Sequence, residues 1–185
     1  MSRSGGDLRV RRTRKLLRDA LIELIEERGF DKVTVGAVTE RAMVSRAAFY
    51  RGYRDKYQLV EQVFDEAMAE LLGSIRGDDE RSPRDRWTGF FEHIDAYHRF
   101  YRAMLGRRGS PWFAERMRAA LSAMVAEHLA VPDATALVPT MLGAMLVQAI
   151  TWWLEHDRPE SPAVLAARTA ELAGAIMTTA NAWTD

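Results

Sequence analysis

The chain has 185 residues, enough for one large domain or two small ones, and 48% of them are apolar, enough for a real core. It holds no cysteine, so disulfides and thiolate metal sites are excluded. Net charge is zero, yet residues 1–58 carry 14 Lys/Arg against 8 Asp/Glu and residues 59–185 carry 12 against 18. A basic head on an acidic body points to a polyanionic partner for the head; the plainer alternative is a solvated basic tail.

In chain order, residues 1–8 are polar and glycine-containing and read as disordered. No apolar stretch there resembles a secretory signal, and the cytoplasm is the expected location. The first helix is expected over about 10–28, where Leu16, Ala20, Leu21, Leu24 and Ile25 recur at helical spacing and Gly29 supplies a stop. Thr34 caps a short second helix to about residue 42, and Ser45 caps a short third to about residue 53. Asp55 caps a fourth to about residue 75, with Leu59, Val63, Phe64, Ala67, Met68 and Leu71 on one side. After the loop RGDDERSPRD, 76–85, a long helix is expected over about 83–105, with proline in its first turn. Others follow over about 111–129, 134–156 and 161–183, with a VPD turn at 131–133. The nineteen uncharged residues from Ala136 to Leu154 approach membrane-spanning length. Pro139, Gly143, Gln148 and the acids that follow favour a helix buried in protein, and no membrane partner is expected.

Two short helices joined by a tight turn, residues 34–53, form the shape that sets its second helix in a major groove. On a helix starting at Ser45, Phe49 and Tyr53 share one face and turn inward. Arg46, Ala47 and Tyr50 fall on another face, flanked by Arg51. Small residues at 47 and 48 allow close approach to base edges, and Arg46 is the candidate to grip a guanine with two hydrogen bonds. Tyr50 can donate to a phosphate or touch a thymine methyl. The capped starts at Thr34, Ser45 and Asp55 are natural phosphate seats, with Lys56 beside the last. An ordinary helical corner with a solvated basic face is the alternative from shape alone.

The stretch TVGAVTERAMVSRAAFYRGYRDKYQLVEQVF resembles the DNA-binding head of TetR-type bacterial transcriptional regulators, a likeness covering roughly residues 9–62. The resemblance implies that Thr34, Tyr50 and Lys56 contact phosphates and that Arg46, Ala47 and Ala48 face bases, with Tyr50 at their edge. Phe49 and Tyr53 would be structural. The family often has glycine where this chain has Met43, and His or Tyr where it has Gly52, so one phosphate contact is in doubt; Arg51 or Arg54 are the candidates to replace it.

The linker TWWLEHDRPESP, 151–162, resembles that of one branch of these regulators, in which the last two helices of each subunit build a four-helix dimer interface. The local chemistry agrees, because the final helix carries a small-residue stripe and the preceding one is apolar around most of its circumference. The expected dimer residues are Met145, Trp153, Ala166, Ala170, Ala173 and Met177; a monomer with a well-buried hairpin is the alternative. The middle helices hold large soft side chains that can line a cavity for an apolar or aromatic effector: Trp87, Phe91, Ile94, Tyr97, His98, Tyr101, Trp112, Phe113, Met117, Met145 and Trp152. A filled core is the alternative for any one of them. No paired-carboxylate, phosphate-loop or metal signature stands out, so no enzyme activity, metal or cofactor is expected.

The expected architecture is all-α with about eight helices: a three-helix helix-turn-helix head with a disordered tail, residues 1–56, and a helical effector-binding and dimerisation body, residues 57–185. The expected function is a cytoplasmic homodimeric regulator, a repressor, that binds a palindromic operator in double-stranded DNA and is released by a small effector. A DNA-binding dimer without a small-molecule switch, and an enzyme or carrier with an incidental basic head, are the competing readings.

Overall fold

The computed structural model describes the backbone of residues 3–76, 82–128 and 137–182, with side chains placed for 10–67, 82–126, 137–180 and 182. The VPD turn and residues 77–81 of the 76–85 loop lie outside the described residues. The described residues form nine α-helices and one short 3-10 turn, with no strand.

Helix α1 spans Arg3–Arg28. Most of the stretch expected to be disordered is therefore helical; once packed turns exist, each further residue adds a hydrogen bond at little cost. Its inward stripe is Leu17, Ala20, Leu21, Leu24 and Ile25, while Leu16 is exposed, a shift of one residue from the expected face. Gly29 ends it at φ 81. A Cβ there would approach the Arg108 carbonyl oxygen at 3.2 Å, so both backbone sign and space demand glycine.

After the 3-10 turn Phe30–Lys32 come α2, Val35–Arg41, and α3, Arg46–Tyr50. Thr34 accepts from the Ala37 N–H at 3.2 Å and Ser45 from the Ala48 N–H at 3.1 Å, as their cap roles require. Helix α3 is shorter than expected: Arg51 and Gly52 form a turn, although the Tyr53 N–H still reaches the Phe49 carbonyl at 2.9 Å. Helix α4 spans Lys56–Arg76. Its cap, Asp55, accepts from the Gln58 N–H at 2.8 Å, and that bond holds the carboxyl below the usual carboxylate range. Leu59, Val60, Val63, Phe64 and Ala67 form the buried face of α4, and the side chains of Met68 and Leu71 lie outside those described.

After α4 come α5, Pro83–Ala96, α6, His98–Leu105, α7, Pro111–His128, α8, Leu137–Glu155, and α9, Pro162–Asn181. The long helix expected over 83–105 is two, broken at Tyr97, whose φ of −106° and ψ of 21° leave the helical region. Neither proline nor glycine marks that break. Helices α7 and α8 pack so closely at Gly143 that a Cβ would collide with Ser122 Oγ and lie 3.0 Å from the Arg118 carbonyl oxygen. Helix α8 is long and apolar enough to cross a membrane, but it packs against α6, α7 and α9 here.

Helices α1 and α4 meet the later helices along a polar and aromatic seam. The Phe30 N–H donates to the Arg108 carbonyl at 2.9 Å, and the Arg108 guanidinium donates to the carbonyls of Glu26 and Glu27 at the end of α1. Arg116 of α7 pairs with Glu61 and Asp65 of α4, and Tyr57 meets Trp112 edge-on at 5.4 Å.

Candidate nucleic-acid interface and body cavity

Burial sorts the aromatic pair at 49–50. Phe49 is fully buried, with its ring 5.3 Å from that of Tyr53, while Tyr50 is 57% exposed and touches Phe49 only edge-on. Arg46 and Ala47 are exposed beside Tyr50, and Ala48 is half-buried. The Arg46 guanidinium lies over Gly36 of α2, where an added Cβ would come within 2.5 Å of its Nη2. A side chain at 36 would push that guanidinium away, so glycine lets α2 and Arg46 share one surface. Thr34 and Ser45 are exposed, and each uses its hydroxyl oxygen as the cap acceptor, which leaves the O–H able to donate outward. Arg51 is exposed, and Arg54 pairs with Asp55 at 3.4 Å. A Cβ at Gly52 would meet only the Phe49 carbonyl oxygen, at 3.8 Å, so packing does not demand glycine there.

Lys56, expected at a phosphate, is engaged within the fold in the free chain. Its ammonium donates to the carbonyls of Phe30, Asp31 and Val33 at 2.8, 3.2 and 3.0 Å and lies 4.3 Å from the centre of the Phe30 ring. Burial lowers its pKa below the ordinary lysine range, opposed by Asp31. A phosphate contact would have to draw it from those carbonyls. A second cation with a structural task is Arg41, which ties α2 to α1 through Glu27 at 2.7 and 2.9 Å and Glu23 at 3.2 Å. Those hydrogen bonds lower the Glu27 pKa.

The turn between α2 and α3 stores strain. Met43 has φ 52 and is 91% exposed, so it occupies the left-handed region without a packing return. That conformation costs about 1–2 kcal/mol for a residue with a Cβ, against about 0.5–1 kcal/mol of extra chain entropy for glycine. Met43→Gly is expected to stabilise the chain by about 0.5–1 kcal/mol, read as a rise in the urea midpoint; a fall would contradict the strain.

In the body, the expected pocket residues divide. Phe91, Ile94, Tyr101, Phe113 and Met117 are at most 2% exposed and belong to the core, with Phe113 edge-on to both Phe64 and Phe100. Burial pushes the Tyr101 pKa up, and its hydroxyl lies 3.3 Å from His93 Nε2. His98 Nδ1 is 2.8 Å from the Asp95 carbonyl, half-buried Tyr97 lies against His93, half-buried Met145 packs on the core, Trp112 sits in the head–body seam, and Trp152 is exposed. Of these, Phe91, Tyr101 and Phe113 interlock edge to face with neighbouring rings.

A cavity of about 760 Å³ lies one layer over, between α5 and α9 and the flanks of α7 and α8. Of the expected pocket set only Trp87 lines it. Ala166, Ala170, Ala173 and Met177, expected at a dimer interface, line it as well. Trp153 is also turned inward: it is fully buried and donates to the Glu160 carbonyl at 2.8 Å. Of the expected dimer residues Ala170 is exposed and Met145, Ala173 and Met177 are half-buried, and the large exposed apolar residues of the last two helices are Leu137, Met141 and Trp152 on α8 and Val164 and Leu172 on α9. Among the described residues no cluster of three or more His, Asp or Glu side chains could hold a metal ion.

Residues 17–63 match the profile of the bacterial regulatory proteins of the tetR family, and residues 85–174 match that of a transcriptional regulator C-terminal region. An uncharacterized HTH-type transcriptional regulator, YxbF of Bacillus subtilis (strain 168), is 30% identical over 82 residues, 44% of this chain; the match covers 18% of that protein's length. Among solved structures, a TetR transcriptional regulator from Streptococcus agalactiae 2603V superposes with a TM-score of 0.67 at 19% identity, covering 91% of this chain and 97% of the other. The fatty acid degradation regulator FadR from Bacillus halodurans gives 0.61 at 17% identity, covering 87% and 94%. At such identities the likeness is one of fold. A capped helix-turn-helix with an outward tyrosine, joined to this helical body, defines a DNA-binding transcriptional regulator rather than an enzyme. The chain belongs to the TetR family.

Proposed function

We propose that this chain is a cytoplasmic, ligand-responsive repressor, with its DNA-binding domain in residues 1–56 and its effector-binding and dimerisation domain in residues 57–185. Two copies pair through α8 and α9 and set their α3 helices in successive major grooves of a near-palindromic operator, roughly 34–36 Å apart. The carrying observation is the split at 49–50: a buried ring beneath α3 and an exposed tyrosine on it, beside Arg46. In this reading Arg46, Ala47, Ala48 and Tyr50 face bases, and Thr34, Ser45, Tyr50 and Arg51 meet phosphates. The exposed Leu137, Met141, Trp152, Val164 and Leu172 support pairing, because one chain alone leaves them in water. The effector, a small apolar or aromatic molecule, enters the body and shifts α4 through its packing on α5, so that both heads no longer meet their grooves together.

One observation favours a second reading, a DNA-binding dimer without a small-molecule switch: the aromatic set around Phe113 is filled. The cavity between α5 and α9 supports the switch instead. DNA selected from a random pool by the purified protein, then titrated with and without effector, tests both. A coupling of about 1–3 kcal/mol, or roughly 5- to 150-fold in affinity, is expected; operator affinity unmoved by every ligand that enters the body would favour the second reading. Arg46→Ala should cost about 1–3 kcal/mol on the selected site and little on random DNA. Equal losses on both would mean that Arg46 reads no base.

A further inference from the structure

Trp87, Phe90, Leu142, Leu146 and Val125 make the inner wall of the cavity between α5 and α9 apolar. The indole N–H of the lining Trp87 is already satisfied by a buried threonine behind it. Trp87 Nε1 donates to Thr169 Oγ1 at 3.1 Å, and Thr169 in turn donates to the carbonyls of Leu165 and Ala166 at 2.8 and 3.1 Å. Beyond the arginines and the Thr88 hydroxyl the lining side chains offer no free polar partner, so a polar group brought inward would lose most of its hydration.

The floor is the small-residue side of α9, running from Ala166 through Ala170 and Ala173 to Met177. Those positions span three helical turns, about 16 Å. A Cβ at Gly174, on the same side, would meet nothing within 4 Å. The space is therefore long as well as apolar, and at about 1.2 Å per bond of extended chain it accommodates roughly a dozen carbons.

Charge enters only at the first turns of α5. Arg84 is exposed, Arg86 is half-buried, and both line the cavity. Helical spacing sets them on opposite flanks of the stripe Pro83–Trp87–Phe90 that lines the cavity. The acid between them is engaged elsewhere: Asp85 accepts from the Ser82 hydroxyl at 2.7 Å, and its N–H donates to the Ser82 oxygen. Among the described residues no ion pair engages either guanidinium.

We infer that this cavity binds an amphipathic anion with an unbranched apolar tail, the tail along α9 and a carboxylate or phosphate head between Arg84 and Arg86. The inference rests on the effector-binding reading above and narrows the effector to a class. Two guanidiniums can hold an oxyanion head by charge-assisted hydrogen bonds, while a cationic head would meet like charges at the mouth.

The test is calorimetric titration of the full chain with dodecanoate, dodecyl phosphate, dodecanol and dodecylamine at fixed ionic strength. Dodecanoate or dodecyl phosphate should bind one per chain, at least roughly tenfold more tightly than dodecanol, and dodecylamine should not bind. The preferred head group distinguishes a carboxylate ligand from a phosphate one. The double variant Arg84→Gln/Arg86→Gln should bring the anions down to dodecanol's affinity and leave dodecanol unchanged. Ala170→Trp, which fills the floor, should abolish binding of all of them. The inference is overturned if none binds, if dodecanol matches the anions, if the arginine variant binds them unchanged, or if Ala170→Trp still saturates. The operator titration separates this from the switch. Anion binding that leaves operator affinity unmoved removes the switch and keeps the site; release by another ligand, with no anion bound, keeps the switch and removes the inference.

Discussion

Phe49→Ala is expected to destabilise the chain by about 3–5 kcal/mol, while Tyr50→Phe next to it shifts stability by less than about 0.5 kcal/mol. Helix α3 has five residues, far too few to hold itself together, so its position depends on what it buries. What it buries is one ring. Phe49 is fully buried, with its ring 5.3 Å from that of Tyr53, and truncating it leaves a cavity beneath α3. Tyr50 keeps its edge contact with Phe49 when only its hydroxyl is removed. In the proposed DNA complex the hydroxyl meets a phosphate, and on that reading its loss should cost about 1 kcal/mol per head. Urea unfolding followed by circular dichroism, beside operator titration of each variant under folding conditions, reads both effects. An unmoved midpoint in Phe49→Ala would show that the ring does not anchor α3. Full operator affinity in Tyr50→Phe would remove the hydroxyl from the interface.

The head was legible because its signals act over short distances. A serine caps an N–H three residues on, and two rings four apart share a face; both patterns are written in consecutive residues, as Ser45–Ala48 and Phe49–Tyr53 demonstrate. The body was legible as helices but not as a site. Lining a cavity and filling a core require the same residue types, so nothing in the order of Phe91, Tyr101 and Phe113 separates one from the other. The small-residue side of α9 is similarly ambiguous: alanines permit a close helix neighbour, and here they border open space beside Trp87. The break at Tyr97 carries no proline or glycine, so helical spacing runs through it unmarked. Leu16 and Leu17 are adjacent leucines, and only packing against the rest of the chain decides which turns inward.

The same limit explains Lys56, whose replacement by methionine is expected to cost about 3 kcal/mol. Its three acceptors belong to residues 26, 25 and 23 positions earlier, beyond the reach of any local motif. From sequence it is a cation beside a helix start; in the fold it gathers the carbonyls of the 3-10 turn and pins α4 to the end of α1. Methionine keeps the apolar stem against the Phe30 ring but removes every donor. The half-buried carbonyls then lose charge-assisted bonds, each worth about 1.5–3 kcal/mol when a partner group is charged, with partial recovery from water. The structural and phosphate roles predict different signatures. If Lys56 pins the turn, the urea midpoint of Lys56→Met falls, and the salt dependence of operator binding by the folded fraction is unchanged. If it meets a phosphate, the midpoint holds, and the logarithmic salt slope becomes shallower by about 0.9 for each phosphate no longer neutralised. The second pattern would return Lys56 to the DNA interface and leave α4 held by Asp55 and the seam through Tyr57.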